Sequence, residues 1–147
     1  MEICELLRPE NMTMELKSTK RLDAIKELID IMYSTGSISN KEEILKAALQ
    51  REEEFSTGIG FQVAIPHAKS EFVDKASIAY GYSQEGVEWP SEDGVNPKMI
   101  FMIVVPADAF DEHLKLLAQI ARKLIHEDTR EKIINAKCKE DVIKAFE

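Results

Sequence analysis

The chain is poor in cysteine, in basic charge and in long apolar runs. Its two cysteines, Cys4 and Cys138, are too distant in sequence for a paired metal or redox motif, and they predict reduced thiols of a cytoplasmic protein rather than a disulfide. Lys and Arg number 19 against 27 Asp and Glu, a net charge of -8 over 147 residues, which argues against nucleic acid as a partner. The longest purely apolar run, 99–105, is far below the ~20 residues needed to span a bilayer, so no direct membrane insertion is expected. The first residues carry acids where a secretory signal would need basic residues followed by an apolar stretch. A Walker loop, a Gly-x-Ser-x-Gly elbow and a His-Glu-x-x-His pair are all absent, which removes the common routes to nucleotide binding, serine hydrolysis and zinc catalysis. No cofactor is called for.

What is present alternates between the two hydrophobic periods. Residues 12–16 alternate as a short strand. Ser18 or Thr19 can cap a helix with a stripe of Leu22, Ile25, Ile29 and Met32, ended by Gly36. Asn40 followed by Glu43 starts a second helix, continued by Ile44, Leu45, Ala48 and Leu49 towards Arg51. A loop over 55–61 leads to a strand, 62–65, stopped by Pro66. Strands follow at 76–82 and, shorter and at an edge, 85–89, and the run 99–105 is apolar on both faces, as a doubly covered central strand requires. Three helices close the chain: about 111–126 with Leu114, Leu117, Ile120, Ala121 and Leu124 on its stripe, then 128–136 and 140–146. This order predicts one domain over 1–147, a three-layer α/β/α fold with a central mixed β-sheet and helices on both faces. From Asp111 on, basic and acidic residues are equal in number, so the acidic excess lies wholly in 1–110, a surface suited to a basic partner.

The stretch 51–69 is the richest in chemistry. His67 follows Pro66 where the chain leaves a strand end, a position at which open α/β sheets commonly place ligands. Gly58 and Gly60 free the backbone to approach a ligand, and consecutive amides in such a loop can hold an anion. Ser56 and Thr57 add hydroxyls, and the Arg51 guanidinium suits phosphate oxygens. These are parts for holding a phosphate beside an imidazole. Composition and spacing equally admit a half-buried structural histidine and a surface arginine in ordinary helix ion pairs. His113, in the first turn of the 111–126 helix, is either a capping-region residue or a second imidazole serving a phosphoryl group; the dipole there favours its neutral form. His126, in the last turn, reads as structural.

The segment Arg51-Glu-Glu-Glu-Phe-Ser-Thr-Gly-Ile-Gly-Phe-Gln-Val-Ala-Ile-Pro-His67-Ala closely resembles the active-site signature of the fructose/mannitol-type (type 2) EIIA domains of the bacterial phosphoenolpyruvate-dependent sugar phosphotransferase system. Asp111-Glu-His113-Leu resembles that family's second histidine segment, and Gly86-Val-Glu-Trp89 with the tail from Arg130 favours the fructose branch. The resemblance implies a phosphotransferase component that accepts a phosphoryl group from HPr on His67 and passes it to a cysteine of an EIIB domain, with EIIC carrying the sugar through the membrane. It implies that Arg51 and His113 stabilise the transferring group, with Thr57, Gly58 and Gly60 in the phosphate-binding loop. An alternative within the resemblance is a regulatory EIIA-like module whose phosphorylation state controls a partner protein. Many relatives carry Asn-Gly or an acid where this chain has Phe61-Gln62, so a polar role there is lost and Phe61 instead widens an apolar rim for docking.

Overall fold

The computed structural model describes residues 3–147, with the side chains of Phe110 and Glu112 left aside. In chain order the elements are α1 (Ile3–Leu6), β1 (Leu7–Thr13), α2 (Arg21–Ser34), α3 (Lys41–Glu54), β2 (Gly58–Gly60), β3 (Val63–Ala64), β4 (His67–Ser70), β5 (Ser77–Tyr82), β6 (Met99–Pro106), α4 (Phe110–Leu124), α5 (Glu127–Ile134) and α6 (Lys139–Lys144). The strands form one mixed sheet in the order β1-β5-β6-β3-β2, with β4 also paired to β6. β6 is the axis. It runs antiparallel to β5 and parallel to both β3 and β4, and all of its residues from Met99 to Val105 are buried, as expected of a strand covered on both faces.

Side-chain alternation divides the core in two. One face carries Val63, Ile65, Phe101, Ile103 and Val105 against Leu116, Ile120 and Leu124 of α4, Ile133 of α5 and Val142 of α6. The other carries Ala64, Ala68, Ile100, Met102 and Val104 against α2 and α3. The three-layer α/β/α arrangement is therefore as expected.

Several local expectations are corrected. The first strand lies at Leu7–Thr13 rather than 12–16; it pairs only with β5, so Pro9 costs no necessary ladder bond at this edge. Neither Ser18 nor Thr19 caps α2. Lys20 holds the N-cap position without a side-chain bond, while the Ser18 amide and hydroxyl both donate to Glu27 (3.0 and 2.6 Å). Leu22 is exposed and Leu28 occupies the stripe with Ile25, Ile29 and Met32. Residues 85–89 form no strand; Glu88 makes an isolated bridge to Lys20, and Val87 and Trp89 are buried. Leu114 is also outside, because the inward positions of α4 run through His113, Leu116, Ile120 and Leu124, the three- and four-residue spacing of one helix face. Asn40 does cap α3, accepting from the Glu43 amide at 3.1 Å.

The loop expected over 55–61 contains β2, which turns back onto β3 through two residues, Phe61 and Gln62. Both have positive φ, 58° and 64°, the requirement of a type I′ hairpin turn. Asn-Gly meets it without strain, whereas Phe-Gln requires compensation. The Phe61 amide donates to Asp93 (3.1 Å), and the Arg130 guanidinium lies over the Phe61 ring at 4.3 Å while donating to the Leu124 and Ile125 carbonyls at the end of α4 (both 2.8 Å).

Candidate functional site

His67 does not leave the end of a strand; it begins one. β3 and β4 lie along the same edge of β6 in one continuous register, Ala64 opposite Ile100 and His67 opposite Ile103. Ile65 and Pro66 interrupt the strand, but the ladder is kept because the Pro66 carbonyl accepts from the Ile103 amide at 2.9 Å. Pro66 lacks a donor, not an acceptor. Shared register keeps Val63, Ile65 and His67 on one face of the sheet, the face on which α4 lies.

Helix α4 delivers His113 to the same place. The two imidazole rings lie edge to face, with centroids 5.1 Å apart and planes at 68°, and each residue is only 8% exposed. The His67 Nδ1 lies 3.0 Å from the Ile65 carbonyl oxygen. A carbonyl can only accept, so Nδ1 carries the proton and Nε2 keeps its lone pair. Burial holds the His67 pKa below the ordinary imidazole value, against the opposing influence of the Ile65 bond; the Arg51 charge lowers it further and Glu54 raises it. Burial, with the charges of His67, Lys69 and Arg51, pushes His113 down to about 4. Neither nitrogen of His113 has a hydrogen-bond partner among the described residues. Two neutral imidazoles therefore face each other at pH 7 beside a guanidinium, and one offers an unprotonated Nε2.

Arg51 sits in the last turn of α3, where Nη1 donates to the Phe55 carbonyl at 2.7 Å. Its charge acts on both histidines. The structure thus brings together His67, His113 and Arg51. The other three expected site residues are engaged in the loop itself. Thr57 gives both its amide (3.3 Å) and its hydroxyl to the Glu52 carboxylate. The Gly58 amide donates to Ser56 Oγ at 3.2 Å, and a Cβ on Gly58 would press on Pro90 and Ser91. Gly60 has φ +87° beside Asp93. The glycines serve the close approach of the 90–93 loop and the hairpin. His126 is exposed at the start of α5. Among the described residues no group of three or more His, Cys, Asp and Glu could hold a metal ion, and no helix is long and apolar enough to cross a membrane.

Sequence reasoning missed Glu52, to which it assigned no role. It is buried, and besides Thr57 it accepts from the Trp89 indole (3.1 Å) and pairs with Arg21 (3.5 Å). The signal was available: Ile44, Ala48 and Glu52 fall four residues apart, on the buried stripe of α3.

Residues 5–147 match the family described as "Phosphoenolpyruvate-dependent sugar phosphotransferase system, EIIA 2". The chain is 38% identical over 133 residues to a "PTS system fructose-specific EIIA component" of Haloferax volcanii, covering 90% of this chain and 86% of that one. It is 32% identical over 143 residues to the "PTS system fructose-specific EIIABC component" of Bacillus subtilis, covering 97% of this chain but 22% of that protein, so the chain spans most of one relative and about a fifth of the other. Among solved structures, the nitrogen regulatory protein IIA-Ntr of Neisseria meningitidis superposes with a TM-score of 0.92 at 26% identity, covering 99% of both chains. The chain belongs to the type 2 EIIA family, the phosphohistidine-carrying phosphotransferase components of the sugar phosphotransferase system.

Proposed function

We propose that His67 is the phosphorylated residue and Nε2 the nucleophilic atom, in a carrier domain that occupies 1–147 and works in the cytoplasm. The observation that carries this is the Nδ1 bond to Ile65, which leaves the Nε2 lone pair free beside His113 and Arg51. The phosphoryl group comes from phospho-HPr: a nitrogen–phosphorus bond breaks in the donor as one forms at Nε2, and the proton stays on Nδ1, donated to the Ile65 carbonyl. Arg51 and a ring nitrogen of His113 offset charge on the transferring oxygens, the main demand that phosphoryl transfer makes of a protein. The group then passes to an EIIB cysteine, which feeds sugar uptake through EIIC. Fructose-type specificity is favoured over mannitol-type by the 38% identical relative. Thr57, Gly58 and Gly60 shape the loop beside the phosphate. Exposed Phe55 (78%) and Leu114 (51%), close in sequence to Arg51 and His113 respectively, supply apolar docking area within an acidic surface suited to the basic HPr face.

A second reading is supported by the IIA-Ntr superposition: phosphorylation of the same histidine would control a partner protein. One experiment tests the shared chemistry. The chain is incubated with phosphoenolpyruvate, enzyme I and HPr, and its intact mass is read at neutral pH beside His67→Ala. Gain of one acid-labile phosphate, lost in the variant, is expected. No gain, with both carriers active on a control EIIA, overturns the assignment. Onward transfer to a fructose-type EIIB separates transport from regulation.

A further inference from the structure

A buried carboxylate lies beside the loop that precedes the nucleophile. Glu52 is 5% exposed, and taking a carboxylate out of water is costly unless donors replace the solvent. Four do: the Thr57 amide, the Thr57 hydroxyl, the Trp89 indole and the Arg21 guanidinium. A neutral apolar residue would hold α3 to this loop with less desolvation, so the charge calls for a reason.

The backbone beyond Thr57 supplies one. The Thr57 carbonyl accepts from the Ile65 amide at 3.0 Å. The carbonyl of Ile65 in turn accepts from His67 Nδ1 at 3.0 Å. Ile65 lies in the break between β3 and β4: its amide is held by the Thr57 carbonyl, and the Pro66 carbonyl beyond it is held by the Ile103 amide of β6. The Ile65 carbonyl that selects the His67 tautomer lies between these two anchors; the first of them is Thr57, which is fixed at both its amide and its hydroxyl by Glu52.

We propose that Glu52 is a positioning residue for the nucleophile: through Thr57 and the Ile65 peptide it holds the proton of His67 on Nδ1 and so keeps Nε2 free to take the phosphoryl group. The inference rests on the assignment of His67 as the carrier, but the tautomer it specifies exists without phosphate. Gln at position 52 presents one acceptor oxygen and an NH2 group to a set of donors, so at least one of them loses its partner. The Thr57 backbone then shifts, and with it the carbonyl facing Nδ1.

The test uses the full chain, labelled with 15N, in the wild type, Glu52→Gln, Thr57→Val and Ile133→Val. Ile133 is buried on the face of the sheet away from α3 and gives a stability-matched control. Long-range 1H–15N spectra at pH 8 report which ring nitrogen of His67 is protonated. The wild type and Ile133→Val should show a protonated Nδ1. Glu52→Gln should raise the Nε2-protonated fraction at least fivefold and slow phosphate acceptance from phospho-HPr about tenfold, as small misplacements of a reacting group do. Thr57→Val, which keeps the carboxylate and the amide bond, should move both readouts the same way by less, and it stands in if Glu52→Gln does not fold. An unchanged tautomer in both variants overturns the proposal, whether or not transfer is slower, and so does an equal tautomer shift in Ile133→Val. A wild-type chain that takes up no phosphate defeats the carrier reading alone, since the spectra still decide the role of Glu52.

Discussion

The ring of His113 meets that of His67 at a centroid distance of 5.1 Å, and neither of its nitrogens finds a partner among the described residues. A buried polar group left without a partner costs about 1–3 kcal/mol, so this geometry stores instability beside the nucleophile. His113→Leu should accordingly raise the stability of the unphosphorylated protein by about 1 kcal/mol while slowing phosphate acceptance by roughly 10–1000-fold. Thermal melts and single-turnover transfer from phospho-HPr measure the two effects; a variant that is less stable and transfers at the wild-type rate would refute both.

Acid should weaken the fold through the same pair. Both histidines are held below their unfolded value of 6.5, His113 at about 4. Between those limits the unfolded chain binds protons that the native one does not, so stability is full above pH 6.5 and falls as pH drops towards 4. His113, lowered to about 4, contributes to this loss over the whole of that window. Urea denaturation at pH 7.5 and pH 4.5 should show it, and His113→Leu should remove most of the difference.

The β2–β3 turn is strained by its side chains. Gln62→Gly relieves a positive φ of 64° and should stabilise the fold by about 1 kcal/mol. Phe61→Asn relieves the other residue but forfeits the Arg130 contact, about 0.5–1 kcal/mol at an exposed site, and should be close to neutral. Equal gains from the two substitutions in chemical denaturation would show that the stacked guanidinium contributes nothing.

Gly58 separates a packing role from a ligand-binding one. Alanine there presses on the Pro90 carbonyl and places Cβ 3.1 Å from the Ser91 Cα, both backbone atoms, so a loss of about 1–3 kcal/mol is expected. Slowed phosphate acceptance at unchanged stability would instead place the Gly58 backbone against the phosphate.

How much was legible in the sequence follows from which forces act locally. Caps and periodic stripes are local, so the Asn40 cap and the apolar run of β6 were readable directly. So was the histidine motif, because Pro-His after an apolar stretch is contiguous. Leu22 and Leu114 were placed inside because hydropathy marks them as core, yet the helix turn gave their places to Leu28 and, in α4, to His113 and Leu116. A polar residue buried for function breaks the pattern that reveals burial. Glu52 was hidden for the same reason. Its donors come from positions 21, 57 and 89, and only the folded sheet brings these together. The β3–β4 break was misread because proline signals the end of a strand, while the rescue of the ladder by its carbonyl is a tertiary event.

The unbroken register of β3 and β4 along β6 also constrains how this chain can change length. Substitutions between Ala64 and His67 alter contacts, but a one-residue deletion or insertion there would exchange the faces of every following side chain in β4. Ala68 would be carried towards α4, and the imidazole would turn to the layer of α2 and α3. The two residues of the break act as a spacer of fixed count. Length variation in this part of the molecule is confined to the connections on either side, such as the 83–98 segment between β5 and β6, where an added residue leaves the imidazole opposite Ile103.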